Sequence, residues 1–175
     1  MAQKKDLEAR IRDLEAVQEI MNLEADYAYA NDTQDVNLYA SLFTEDGVLV
    51  MDGLGLELAG RDRLKEFCNM FFLGFSFSMH LMHNPHIVVD GDRASGRFYW
   101  EATVTWTPTN EAVITGGVSH DDFVKTDEGW KIKKKAASWH YFSRYELGWV
   151  KEPMMDMGEG VTELLSLLGG GSVKE

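Results

Sequence analysis

Arg97-Phe98-Tyr99-Trp100-Glu101-Ala102-Thr103-Val104-Thr105-Trp106 decides the fold. Phe98, Trp100, Ala102, Val104 and Trp106 alternate with polar or smaller residues, a period of two that predicts a strand with one buried and one polar face. The surrounding chain reads the same way. Met79 to Asp90, Ala94 to Thr107, Ala112 to Thr126 and Trp130 to Arg144 are long β-rich stretches. They are separated by Asp90-Gly91-Asp92, Thr107-Pro108-Thr109-Asn110 and Asp127-Glu128-Gly129. Short turns between long strands predict an antiparallel meander. In the last strand, parity puts Lys131, Lys133 and Lys135 outward and Ile132, Ala136, Ser138 and His140 on the other face, unless the register breaks at Lys134.

Upstream, the period changes. From Lys5 to Ala30 the apolar residues Leu7, Ile11, Leu14, Val17, Ile20, Met21, Leu23 and Ala28 recur at helical steps with no Gly or Pro between them. At about 1.5 Å per residue this helix reaches roughly 40 Å, more than a small core needs, so its first two turns are expected to project and pack on another subunit. Asn31-Asp32-Thr33 breaks the pattern before a second helix, about Gln34 to Phe43. Thr44-Glu45-Asp46-Gly47 reads as a turn, Val48 to Met51 and Leu54 to Leu58 as a small hairpin, and Arg63 to Phe72 as a third helix. Helices first and a curved antiparallel sheet after them is an α+β layout with the helices covering one sheet face. Residues 1–152 form a single domain in this reading. Residues 153–175, with a short Val161 to Leu168 helix and a glycine run, are a tail that is either a subunit clasp or disordered.

A chain of 175 residues with 45 % hydrophobic content fills one core. Its formal charge of −12 argues against nucleic acid and anionic lipid surfaces as partners. The single cysteine, Cys68, closes no disulfide within the chain, which fits a reducing compartment; with no apolar leader or spanning run at the start, a cytoplasmic protein is expected.

Three histidines cluster in His80-Leu81-Met82-His83-Asn84-Pro85-His86. On a regular strand His80, Met82, Asn84 and His86 share a face and His83 opposes them, with His80 and His86 roughly 20 Å apart, so no metal site is expected. A partly buried imidazole with a satisfied hydrogen bond is the plain alternative for each. Asp32 reads either as the N-cap of the helix near Gln34 or as an acid facing a sheet histidine.

A set of ordered motifs bears on that choice: Leu14-Glu15-Ala16-Val17-Gln18-Glu19-Ile20, Tyr27 and Asp32, Leu42-Phe43-Thr44-Glu45-Asp46-Gly47, Gly60-Arg61, Met79 to Pro85, Asp90 to Ala94, Gly116-Gly117, Asp121 and Gly129-Trp130-Lys131-Ile132. On these, Leu14 to Gly148 resembles the SnoaL-like branch of the nuclear transport factor 2-like superfamily, in its scytalone dehydratase-type members. Tyr27, Asp32, Met79-His80 and Gly96-Arg97-Phe98-Tyr99 are similar to bile acid 7α-dehydratases. Asp32, His80, Asn84 and Tyr141-Phe142 are similar to hexachlorocyclohexane dehydrochlorinases. The resemblance implies a cone-shaped half-barrel, three N-terminal helices packed on a curved, mostly antiparallel sheet. It also implies an Asp32–His80 dyad, no cofactor, and a homotrimer or homodimer.

The chemistry follows from these residue types. An imidazole whose far nitrogen donates to a carboxylate is held in one tautomer and takes a proton from substrate carbon with the other. Loss of a neighbouring leaving group then forms a C=C bond, a dehydratase-type lyase reaction. Tyr27 either protonates or binds the departing hydroxyl or is a helix core residue. Ala102 stands where the bile acid enzymes carry a further carboxylate, which argues against bile acids. His120 is either a second acid or base or a surface imidazole. Phe98, Trp100, Met82 and Phe43, with Asn84 and Tyr141, are the expected substrate contacts. The Phe71 to Phe77 segment is the expected lid over a hydrophobic, aromatic or polycyclic hydroxylated small molecule. A carbon–carbon lyase releasing formaldehyde, a ketosteroid-type isomerase and a non-catalytic binding module remain as alternatives.

Overall fold

Asp6 accepts the Ala9 N–H at 2.7 Å and opens α1, Leu7–Asp32, in the computed structural model, which describes residues 6–158. The helix outlasts the expected break because Asn31 and Asp32 find partners beyond the local backbone pattern: Asn31 Nδ2 donates to the Tyr27 carbonyl, and Asp32 reaches across to the sheet. Gln34 then turns the chain at φ 55°, and Asp35, not Asp32, caps α2, Val36–Ser41, by accepting from the Asn37 and Leu38 N–H groups. The capping reading of Asp32 is thereby corrected. Leu7, Ile11 and Leu14 on the first turns of α1 are exposed.

β1, Phe43–Met51, takes in Thr44 to Gly47, which the sequence reads as a turn; its pairing is irregular over that stretch. A single 3-10 turn at Asp52–Leu54 leads to β2, Leu56–Ala59, and then to α3, Arg61–Phe71. The Arg61 guanidinium donates twice to the Phe43 carbonyl, at 2.9 and 2.6 Å, so the Gly60-Arg61 motif ties α3 to the start of β1. After a second 3-10 turn come β3 (Phe75–Asp90), β4 (Arg93–Trp106), β5 (Glu111–Thr126) and β6 (Gly129–Arg144), followed by α4, Gly148–Lys151.

The sheet order is β2-β1-β6-β5-β4-β3. The β3 to β6 meander is antiparallel, and β1 joins it by a parallel pairing with β6. The result is the expected α+β architecture: a curved, unclosed sheet with the helices on one side. β4 keeps its alternation throughout, with even-numbered residues buried and odd ones mostly exposed.

β6 does not keep its parity, and the exception allowed for at Lys134 is the outcome. Asp122 pairs with Lys134 but Phe123 with Ile132, so Lys133 is an extra residue and every side chain beyond it changes face. Lys135 therefore points inward, 2 % exposed, with Ala137 and Trp139, while Ser138 and His140 turn outward. A second break at His140 restores the first parity and buries Phe142. β3 has its own break between His83 and His86, where Asn84 sits at φ 46° beside Pro85. A residue without an N–H is tolerated there because β3 is an edge strand.

Beyond α4, Met154 bridges Phe142 and Met155 is buried against the end of the sheet. The expected Val161 to Leu168 helix lies outside the described residues. Among the described residues no helix is long and apolar enough to cross a membrane.

Candidate active site

Asp32 ends α1 facing β3, and both of its oxygens accept the backbone N–H of His80 at 3.0 Å. The same carboxylate meets His80 Nδ1 at 2.7 Å. One side chain thus fixes the position of the strand and the rotation of the ring, and Nδ1–H donating to Asp32 leaves Nε2 as the ring's free basic nitrogen. Each side chain of the pair is 23 % exposed.

His80 lines a narrow cavity of about 80 Å³ between α1 and the sheet. Its walls are mainly apolar and aromatic: Met51, Phe71, Phe72, Phe75, Met82, Trp100, Val104, Ala137, Trp139 and Phe142. Tyr27, Asn31, Gln34, Ser78, Thr115 and Lys135 supply the polar atoms. Tyr27 exchanges a hydrogen bond of 3.2 Å with the Tyr39 hydroxyl, and burial raises the pKa of both phenols, so both stay neutral donors. Gln34 Nε2 donates to the Phe72 and Phe75 carbonyls and pins the segment expected to act as a lid, whose outermost residue, Leu73, is exposed.

A family model described as a SnoaL-like domain matches residues 12–136. The chain belongs to the SnoaL-like family. The fold is accordingly shared with proteins of the nuclear transport factor 2-like superfamily. Among solved structures, this SnoaL-like protein is 28 % identical to a candidate aromatic ring hydroxylase from Novosphingobium aromaticivorans, at a TM-score of 0.70 over 75 % of this chain and 94 % of the other. It is 26 % identical to a candidate scytalone dehydratase from Novosphingobium aromaticivorans DSM 12444, at a TM-score of 0.70 over 75 % and 89 %. The hexachlorocyclohexane dehydrochlorinase LinA-type3 of Novosphingobium barchaimii LL02 is 19 % identical, with a TM-score of 0.69 over 75 % and 90 %, and shares the fold.

Of the residues singled out in the sequence, this SnoaL-like domain brings Tyr27, His80, Met82 and Trp100 onto one cavity, with Asp32 behind His80. Others lie elsewhere. Phe43 and Phe98 are buried beneath the wall, packed on Tyr27 and Phe123 respectively. The break in β3 carries Asn84 to the outer sheet face, where it shares a groove with His83, Tyr99, His140 and Tyr141. Tyr141 donates to Glu101 there at 3.3 Å. His120 pairs with Arg97 on the same outward parity and is exposed. Among the described residues no three His, Cys, Asp or Glu side chains converge as a metal set.

The sequence reading missed a buried ionic cluster. Lys135 Nζ donates to Glu24 Oε2 at 2.7 Å and to Asp121 Oδ2 at 2.9 Å, and sits 4.3 Å from the centre of the Tyr27 ring. Glu24 and Asp121 are 1 and 2 % exposed. Burial lowers the Lys135 pKa, but the carboxylates of Asp121 and Glu24 overcome it and raise the ammonium above its ordinary value. Burial pushes Glu24 up to about 7 against the pull of Lys135, with Asp121 adding to the rise. One ammonium cannot neutralise two carboxylates in a dry site, so the cluster retains a proton on Glu24 more readily than a lone carboxylate does. Two signals in the sequence pointed here. Glu24 falls on the inward stripe of α1 with Ile20 and Tyr27, and three successive lysines, Lys133 to Lys135, cannot all obey an alternating face.

Proposed function

We propose that this protein is a cofactor-independent lyase of the dehydratase type, with His80 as general base and Asp32 as the residue that orients it. The observation that carries the reading is the hydrogen-bonded Asp32–His80 pair at the wall of a narrow, largely apolar cavity. In that setting Nε2 takes a proton from substrate carbon, the electron pair forms a C=C bond, and the adjacent C–O bond breaks. The imidazolium then returns the proton to the departing hydroxyl, so water leaves and the base is restored. The apolar walls support a hydrophobic hydroxylated substrate, and the volume favours one or two rings over a larger polycycle. The likeness to the candidate scytalone dehydratase supports the same reaction class.

The test compares wild type with His80→Ala on a panel of hydroxylated ring compounds, following conjugated absorbance and product mass. Loss of water with wild type alone is the expected result. Loss of formaldehyde, or an unchanged mass with a shifted spectrum, replaces elimination of water by carbon–carbon cleavage or isomerisation at the same base. Equal behaviour of the two proteins, with ligand still bound, overturns the enzymatic reading in favour of a binding module.

A further inference from the structure

Trp100 carries the cavity's unexplained polar atom. Its indole N–H is buried and has no hydrogen-bond partner among the described residues, although the side chain, 9 % exposed, lines the cavity beside His80. A buried N–H without an acceptor is costly and calls for an explanation. The indole of Trp130 is also unpartnered, but that ring lies in the closed core, away from the cavity walls. Trp100 is held in place by its surroundings. Trp139 meets it edge to face at 6.0 Å, and the space where a side chain at Gly117 would stand is filled by the Trp100 ring and the Ser138 carbonyl.

Position relates it to the base. Ala102 pairs with His80 across β3 and β4, and Trp100 lies two residues along on the same face, a diagonal of roughly 7–8 Å between backbones. A small molecule spans that distance. Tyr27, the hydroxyl nearest in type to an oxygen-binding donor, is already engaged with Tyr39. The remaining cavity cation, Lys135, is shared between two carboxylates.

We infer that the Trp100 indole N–H receives a carbonyl oxygen of the substrate while His80 withdraws a proton from the adjacent carbon, so that the substrate class is a β-hydroxy carbonyl compound. This rests on the lyase reading and specifies it. His80 Nε2 takes the proton from the carbon next to the carbonyl, and the electron pair moves onto the carbonyl oxygen, where the indole N–H meets the growing negative charge. The enolate then re-forms its C=O bond as the C=C bond forms, and the C–O bond to the β-hydroxyl breaks. That oxygen takes the proton from the imidazolium and leaves as water. No oxidant, reductant or metal enters the balance.

The test uses two readouts. First, 1-indanone and indane, alike in shape and differing in the carbonyl, are titrated into the protein while the indole N–H resonances of its five tryptophans are followed by NMR. Indanone is expected to bind about tenfold more tightly than indane and to move the Trp100 indole resonance, with that of Trp130 unmoved. Trp100→Phe is expected to abolish the preference while keeping indane affinity. Benzothienylalanine at position 100 replaces the N–H by sulfur at nearly constant shape and is expected to do the same. Second, 3-hydroxy-1-indanone is assayed for loss of water to indenone; both substitutions are expected to lower kcat at least tenfold. An unmoved Trp100 resonance with saturating indanone, or a carbonyl preference that survives the N–H to sulfur exchange, overturns the inference. Dehydration of other hydroxylated substrates in that event leaves the lyase reading standing. A carbonyl preference at Trp100 with no dehydration of any compound in the panel overturns the lyase reading and retains Trp100 as a carbonyl-binding donor.

Discussion

Glu24→Gln is expected to remove a pH dependence of stability that wild type shows between about pH 4.5 and 7. Glu24 is buried at the α1–sheet interface against Lys135 and Asp121. Burial raises its pKa from 4.5 to about 7, so in that window the folded state holds a proton that the unfolded state releases. Stability therefore falls as pH rises, fully present below about 4.5 and lost as pH passes about 7. The rise corresponds to about 3 kcal/mol, a large share of the stability of a domain this size. Glutamine keeps an oxygen acceptor for Lys135 and removes the titration. Urea denaturation midpoints at pH 5, 6, 7 and 8 should fall for wild type relative to the variant by an amount of that order. Asp46 and Glu111, whose hydrogen bonds hold their carboxyls below the ordinary range, act below this window and are common to both proteins. Parallel pH curves for the two proteins would show that the cluster does not hold the proton and refute the reasoning.

Lys135→Met should cost about 3–5 kcal/mol, because it leaves two buried carboxylates without their cation, and adding Glu24→Gln should recover part of the loss in chemical denaturation. His80→Ala should lower the rate of elimination by about a thousandfold with the fold retained by circular dichroism. Asp32→Asn should lower turnover by a hundredfold or so while changing stability by no more than about 1 kcal/mol, measured by activity and urea titration on the same preparation. Gly117→Ala should destabilise by about 2 kcal/mol or more, since a Cβ there would lie 1.9 Å from the Ser138 carbonyl oxygen. The homo-oligomer that the sequence resemblance implies is checked by light scattering: Leu7→Asp combined with Leu14→Asp, at exposed apolar positions on α1, should lower the solution mass.

Much of the architecture was legible because β4 alternates without interruption and the turns between β3, β4, β5 and β6 are short and rich in Gly, Asp and Asn. The parallel pairing of β1 with β6 was not legible, since a non-local partner leaves no mark on local pattern. The site divides along the same line. Asp32 and His80 came from the family likeness, and Met82 and Trp100 from parity on strands that stay regular between the breaks. Asn84, Tyr141 and Lys135 were misplaced because each lies at or beyond a bulge, and one extra residue exchanges the faces of everything that follows it. The lysine run hid its break well: an exposed Lys133 and a buried Lys135 are the same letter, told apart by the carboxylates that wait for the second.

The placement of Asp32 argues that its charge serves chemistry more than folding. It ends α1, where the helix macrodipole is negative and an added carboxylate is disfavoured, and the last turn carries no basic side chain to offset it. Stability alone favours a neutral residue at such a position. What the carboxylate gains instead is three N–H contacts from one residue of β3, the backbone amide at both oxygens and the imidazole at one. A neutral amide can still accept from the backbone N–H, so the strand stays docked. An amide stabilises an imidazolium far less than a carboxylate does, and its NH₂ group favours the tautomer that turns a proton toward the cavity. Asn at this position should therefore separate the two roles, with the fold nearly unchanged and the base impaired. A residue that only joined α1 to the sheet would give the opposite pattern, losing stability while any surviving fold kept its rate.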